Sequence, residues 1–244
     1  MKFTTSWDDG YRDDLRVAQL LDVHGMTGTF YVCPVPQHEQ TMLTKEETKH
    51  VSDRHEIGAH SMTHPKLSKI PLEQAREEIG GSKAWIESVT GKPCTMFCYP
   101  YGDYNPDIAS LVREEGFRGA RSTETYAFDG NDPFALPGTL HVYPFPLRPV
   151  LNRKAFQPIS RAQKTLRKIG VPVLAMRGWL PLAKSLFEIA HERQAPWFHL
   201  WGHSAEVTRY GMWELLEAFL KCVQTFPGVE YVQNSALVPA RHTK

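Results

Sequence analysis

Residues 2–33, KFTTSWDDGYRDDLRVAQLLDVHGMTGTFYVC, decide the fold class. The run 2–7 is rich in β-branched and aromatic residues and stops at two acids and a glycine, which reads as a strand closed by a turn. Across 12–24, Leu15, Ala18 and Leu21 recur at helical spacing, and Gly25 supplies the left-handed position that ends a helix. GTFYVC (28–33) is then a second strand. Strand, helix and strand in this order form the unit that pairs strands in parallel through a crossover helix.

Working outward, the unit repeats. A polar helix is expected at 44–54, with Thr44 as N-cap and Glu47 three residues on in a capping box. HEIGAH (55–60) is the next strand. A longer helix follows at 71–89, with Leu72, Ala75, Ile79 and Ile86 along one face and Gly91 beyond its end. Strand 95–99, helix 106–115 closed by Gly116, and a short strand at 117–121 continue the rhythm. It fails from 126 to 178, where prolines at 133, 137, 144, 146, 149, 158 and 172 interrupt every pattern except a basic helix at 160–169. This stretch reads as an irregular Pro-rich insertion over one end of a barrel, where loops carry substrate contacts. Helix 182–193, strand 196–201, helix 212–226 and strand 230–232 restore the order. Strand and helix counts near seven predict one α/β domain over 1–244, a TIM-barrel-like closed or nearly closed β/α barrel with active groups at the carboxyl ends of its strands.

The formal charge of +1 gives no global field toward nucleic acid or an anionic membrane. No apolar run of about 18 residues suggests a membrane span. The start, MKFTTSWDD, lacks the apolar core of a signal peptide, and four cysteines (33, 94, 98 and 222) lack paired short spacings. Reduced thiols and cytoplasmic residence are the resulting expectations. The 11 histidines are the unusual component, because several cluster with acids.

Those clusters fall at expected strand ends. Asp8 and Asp9 follow the first strand and precede Gly10. Adjacent carboxylates raise each other's pKa unless a cation holds one as an anion, an arrangement that frees one acid for metal binding and one for base work. His60 and His64 (HSMTH) follow the third strand at a spacing of four, which puts both imidazoles on one side if the segment makes a helical turn. Two histidines and one carboxylate, Asp9, leave positions open on an ion, as catalytic sites require. A water activated there, or deprotonated by Asp8, can attack a carbonyl carbon. At FCYPYGDYN (97–105), Pro100 and Gly102 force a tight turn around Tyr101, whose backbone N–H could face a developing oxyanion. His203, in HLWGHSAE (199–206), suits a general acid for a leaving amine, whereas His199 reads as structural.

SWDDG (6–10), HSMTH (60–64), YPYG (99–102) and the histidine of LWGH (200–203), in that order on a β/α chain, resemble the polysaccharide deacetylase family, the carbohydrate esterases of family 4 with a NodB-like domain. The likeness runs from residue 1 to about 125 and again from about 195 to 232. It implies a distorted (β/α)7 barrel and metal-dependent removal of an acyl group, usually acetate, from an N-acylated sugar. By the same resemblance Asp8 is the general base, and Asp9, His60 and His64 bind one divalent ion, zinc by expectation with cobalt, nickel or manganese as alternatives. Tyr101 matches the residue whose amide binds the oxyanion, and His203 matches the general acid.

Two positions depart from the family pattern. The arginine that usually opens the third motif and orients the catalytic aspartate is replaced by Cys98. The aspartate that usually tunes the acid histidine is missing from FRGARS (117–122), which offers only Arg118 and Arg121; Glu206 is a substitute. The expected substrate is a small N-acyl sugar intermediate, nucleotide-linked or lipid-linked, of cell-surface polysaccharide assembly. The basic stretch from Arg148 to Lys168 could meet a phosphate of such a substrate or be a solvated helix face. Alternatives are an amidase or deformylase acting on a non-sugar amide or ureide, and a non-catalytic carbohydrate-binding protein. A non-haem iron oxygenase shares the two-histidine, one-carboxylate set but gives the second aspartate no role.

Overall fold

The computed structural model describes residues 1–35, 41–150 and 152–239. The first half runs β1 (Lys2–Asp9), α1 (Asp14–Val23), β2 (Thr29–Val32), α2 (Lys45–Val51), β3 (Glu56–Ala59), α3 (Leu72–Thr90), β4 (Met96–Cys98), α4 (Pro106–Glu114) and β5 (Gly119–Arg121). The second half adds β6 (Leu140–His141), α5 (Gln157–Ile169), α6 (Trp179–Glu192), β7 (Trp197–Gly202), α7 (Ser204–Arg209), α8 (Trp213–Val223) and β8 (Glu230–Tyr231). The punctuation read from the sequence holds. Thr44 and Glu47 exchange both capping-box bonds, at 3.1 and 2.9 Å, and Gly25, Gly91 and Gly116 take left-handed backbone after their helices.

Parallel pairing gives the order β5-β4-β3-β2-β1-β7-β6, with β8 also bonded to the start of β1. β1 is the central strand, and all of it except its first residue is buried. The ends of the sheet approach each other through a single connection. Leu136 bridges Arg121 of β5, and a few residues later β6 pairs with β7. The fold is therefore a single α/β domain with a curled parallel sheet, a distorted (β/α)7 barrel as expected. Among the described residues no helix is long and apolar enough to cross a membrane.

Helices cover the sheet with their apolar faces. Val17, Ala18 and Leu21 of α1 are buried against it. Phe3 and Phe198 from the strands meet Phe187 of α6 and Phe219 of α8, with ring centroids 5.2 to 6.3 Å apart. Each such ring contributes roughly 1.5–3 kcal/mol on burial. The insertion holds the expected basic helix as α5, beginning three residues earlier than read. It also holds β6, which was not anticipated, because a two-residue strand carries no periodicity. Helix α7 was likewise unread.

Close packing between neighbouring strands depends on Gly58. A Cβ there would overlap the ring edge of fully buried Tyr31 and crowd the Met96 carbonyl oxygen at 3.1 Å. Gly58→Ala should cost roughly 1–3 kcal/mol by overpacking, lowering Tm by about 3–10 °C. Scanning calorimetry reads this directly, and an unchanged Tm would refute the packing argument.

Candidate active site

Strand register brings the sequence-distant groups to one rim. Asp9 stands level with Val32 of β2, and Val32 with Ala59 of β3, so His60 emerges beside Asp9. On the other side Trp7 pairs with Gly202 of β7, which sets His203 level with Asp8. Asp9 itself has left-handed backbone (φ 79°), as does Gly10 (φ 80°), so the chain turns away as soon as the second carboxylate is delivered.

Asp9 Oδ1 lies 3.3 Å from His60 Nε2 and 3.3 Å from His64 Nε2, and the two imidazole nitrogens are 3.1 Å apart. Ligand atoms about 2.0–2.1 Å from a tetrahedral zinc lie about 3.3–3.4 Å from one another, so this triangle fits a shared divalent ion. His60 Nδ1 donates to the Cys98 carbonyl at 2.8 Å, which fixes the tautomer and leaves Nε2 free to ligate. Burial raises the pKa of Asp9, but hydrogen bonds from His60 and His64 outweigh it and hold the carboxyl far below its ordinary range. No helical turn joins the two histidines. Ser61 and His64 both adopt left-handed backbone (φ 61° and 60°), and Ser61 Oγ accepts from the His64 N–H at 3.0 Å. A compact loop thus achieves what the i,i+4 spacing was expected to achieve.

Asp8 turns the other way. Its Oδ2 accepts a hydrogen bond from Nη2 of Arg121, a fully buried side chain whose Nη1 donates to the Ser122 carbonyl at 3.0 Å. Burial lowers the Arg121 pKa to about 9, which leaves the guanidinium cationic at neutral pH. It also lies 4.6 Å from the Trp201 ring centroid, a cation–π contact. Arg121 is paired in register with Cys98 across β4 and β5. The arginine that the resemblance places at position 98 is therefore supplied from the neighbouring strand at the same level. Asp8, His60 and Cys98 form a second convergent group. Asp8 is committed to Arg121, and burial pushes the Cys98 thiol up, so this set is the poorer metal site.

His203 closes the rim, with Nε2 3.9 Å from Asp9 Oδ2 and Nδ1 3.0 Å from Glu206 Oε2. Helix α7 begins at Ser204, so its first turn folds Glu206 back onto His203. Burial pulls the His203 pKa down, but the Glu206 hydrogen bond and the charges of Asp9 and Glu206 reverse this and leave it raised. Burial raises the Glu206 pKa, and the hydrogen bonds from His141 and His203 overcome it, giving about 2. Glu206, named as a substitute for the missing fourth-motif aspartate, is thus the carboxylate hydrogen-bonded to His203. His141, unread in the sequence, is 3.3 Å from the same carboxylate and stacks on Trp201 at 3.9 Å. His199 is fully buried beneath the rim. Its Nδ1 donates to the Pro137 carbonyl at 3.2 Å and its Nε2 accepts from Ser6 at 2.8 Å, a structural arrangement.

Tyr101 sits in a turn with left-handed backbone (φ 59°), and its exposed ring packs edgewise on His64 at 4.5 Å. Arg121 and His141 are the residues whose part at the site sequence reasoning did not find. Two arginines in the five-residue stretch 117–121 gave a signal that did not separate Arg121 from Arg118, and nothing around His141 distinguished it.

A barrel rim of carboxylates and imidazoles is the kind of site that hydrolases use. Residues 2–120 match the family described as polysaccharide deacetylase. The peptidoglycan-N-acetylmuramic acid deacetylase of Bacillus subtilis is 28% identical over 156 residues, which cover 58% of this chain and 57% of that protein. The match spans little more than half the length of that relative. Among solved structures, T48 deacetylase with substrate aligns at TM-score 0.58 and 14% identity, covering 96% of this chain and 89% of its own. A pseudoenzyme of carbohydrate esterase family 4 from Bacillus anthracis aligns at TM-score 0.57 and 14% identity, over 98% of this chain and 65% of its own. These structural likenesses are likenesses of fold.

The buried Asp8–Arg121 pair yields a stability test. Arg121→Met leaves Asp8 without its cation and should cost about 3–5 kcal/mol, whereas adding Asp8→Asn should recover most of the loss. Denaturant unfolding of the two single variants and the double variant measures the coupling. Additive losses would rule out the pairing.

Proposed function

We propose that this protein is a metal-dependent deacetylase that hydrolyses the N-acetyl group of a sugar or glycan precursor. The observation that carries the reading is the triangle of Asp9, His60 and His64, edges 3.1 to 3.3 Å, flanked by an arginine-held carboxylate and a glutamate-held histidine. Asp9, His60 and His64 would hold the ion, with zinc favoured by the two-imidazole, one-carboxylate donor set. When bound, it supplies Lewis acidity, polarising the acyl oxygen and making an attacking water more acidic.

The remaining steps belong to the chain's own groups. Asp8, held by the Arg121 guanidinium, takes a proton from the water as the water oxygen adds to the acyl carbon. Tyr101 is assigned a backbone N–H donor to the oxyanion, in a turn held next to His64. His203, biased toward its protonated form by Glu206, gives a proton to the amide nitrogen as the C–N bond breaks, and acetate and a free amine leave. Arg121 and Glu206 act as positioning residues. The substrate assigned to this site is an N-acetylated amino sugar joined to a nucleotide, a lipid or a glycan chain.

Purified protein should carry about one divalent ion per chain, and His60→Ala should abolish stoichiometric binding. Asp8→Asn should keep the metal yet lower acetate release by about 10²–10⁴-fold. A panel of N-acetyl sugars, formamides and ureides scored for acetate, formate and ammonia separates deacetylase from amidase. Unimpaired acetate release by Asp8→Asn would remove the mechanism, and inertness toward every amide would point to a binding protein.

A further inference from the structure

The insertion builds a second cavity of about 310 Å³ next to the rim. Its walls include Tyr126, His141, Tyr143, Arg148, Gln157 and Arg161, and among the described residues no aspartate or glutamate lines it. Four surface arginines are matched with acids: Arg12 with Glu47, Arg54 with Asp22, Arg76 with Glu114 and Glu115, and Arg113 with Asp132. The two cavity arginines instead converge on one space lined by aromatic and neutral polar side chains. Arg148 lies over the Tyr143 ring at 5.1 Å, and its Nε is buried with no hydrogen-bond partner among the described residues. Arg161 reaches the same space from α5. Two guanidinium groups thus face a cavity whose walls offer them no counter-charge, an arrangement suited to a phosphate or carboxylate.

The cavity and the rim share a wall. His141 lines the cavity, and its ring centroid lies 5.7 Å from that of His203. Tyr143 stacks on His141 at 5.2 Å, and Tyr143 and Tyr210 join their hydroxyls at 3.2 Å, so the aromatic floor is braced from α7's end. A group seated between the arginines is therefore one side chain away from the acid histidine.

We propose that this cavity is a subsite for an anionic substituent of the acylated substrate, a phosphate or a carboxylate, recognised by Arg148 and Arg161. The inference rests on the deacetylase reading for its substrate but is tested by binding as well as by turnover. Calorimetric affinities are compared for N-acetylglucosamine 1-phosphate, N-acetylmuramic acid and neutral N-acetylglucosamine on wild-type protein, Arg148→Met, Arg161→Met and the double variant. Arg161 is exposed, so its replacement leaves folding intact and serves as the safer arm. At least one anionic sugar should bind about ten-fold or more tightly than the neutral one. That preference should vanish in the double variant while the neutral sugar is unaffected. Preference for the phosphate alone or the carboxylate alone names the source of the charge. Equal affinities in wild type, no binding of either anionic sugar, or a preference that survives the double variant would overturn the subsite. A charge preference in binding with no acetate released from any sugar would instead defeat the deacetylase reading.

Discussion

Two adjacent carboxylates at the end of the central strand set the constraint that organises this protein. Asp8 and Asp9 cannot both remain ionised in a low-dielectric rim unless each faces a different stabilising group. The alternation of a strand solves the geometric half of the problem, because consecutive side chains leave on opposite faces. Asp9 turns to a pair of imidazoles, and Asp8 turns to a buried guanidinium. Most of the rim can be understood as the support of those two directions.

That support comes from places the family pattern does not suggest. A cation reaching Asp8 needs only the right height and the right face, and in a parallel pair the register partner on the next strand offers nearly the same position. Arg121 and Cys98 are such partners. The Cys98 side chain brings no cation of its own, and its carbonyl orients His60. On the other side, the carboxylate for His203 comes from the first turn of α7, three residues along the chain. The rim thus carries a cation for Asp8 and a carboxylate for His203.

The insertion extends this logic outward. It is too irregular to read as a repeat, yet it returns His141 to the sheet between β7 and the end of β5, where the ring stacks on Trp201 and shares Glu206 with His203. Through that residue the least regular part of the chain becomes the neighbour of the site. The residues beyond it then turn Tyr143 and Arg148 toward the same cavity.

The sequence by itself determined the alternation of strands and helices, their caps at Thr44, Gly25, Gly91 and Gly116, and the nomination of Asp8, Asp9, His60, His64 and His203, because these depend on local periodicity and on residues placed at strand ends. It also anticipated Glu206, since a spacing of three in a helical turn is a local property. Only the tertiary structure decided that Arg121 replaces the arginine lost at position 98, that a left-handed loop rather than a helical turn joins the two histidines, and that His141 stands beside Glu206. Those outcomes depend on strand register, on backbone dihedrals and on where a proline-broken segment rejoins the sheet. None of them leaves a periodic trace in a single chain.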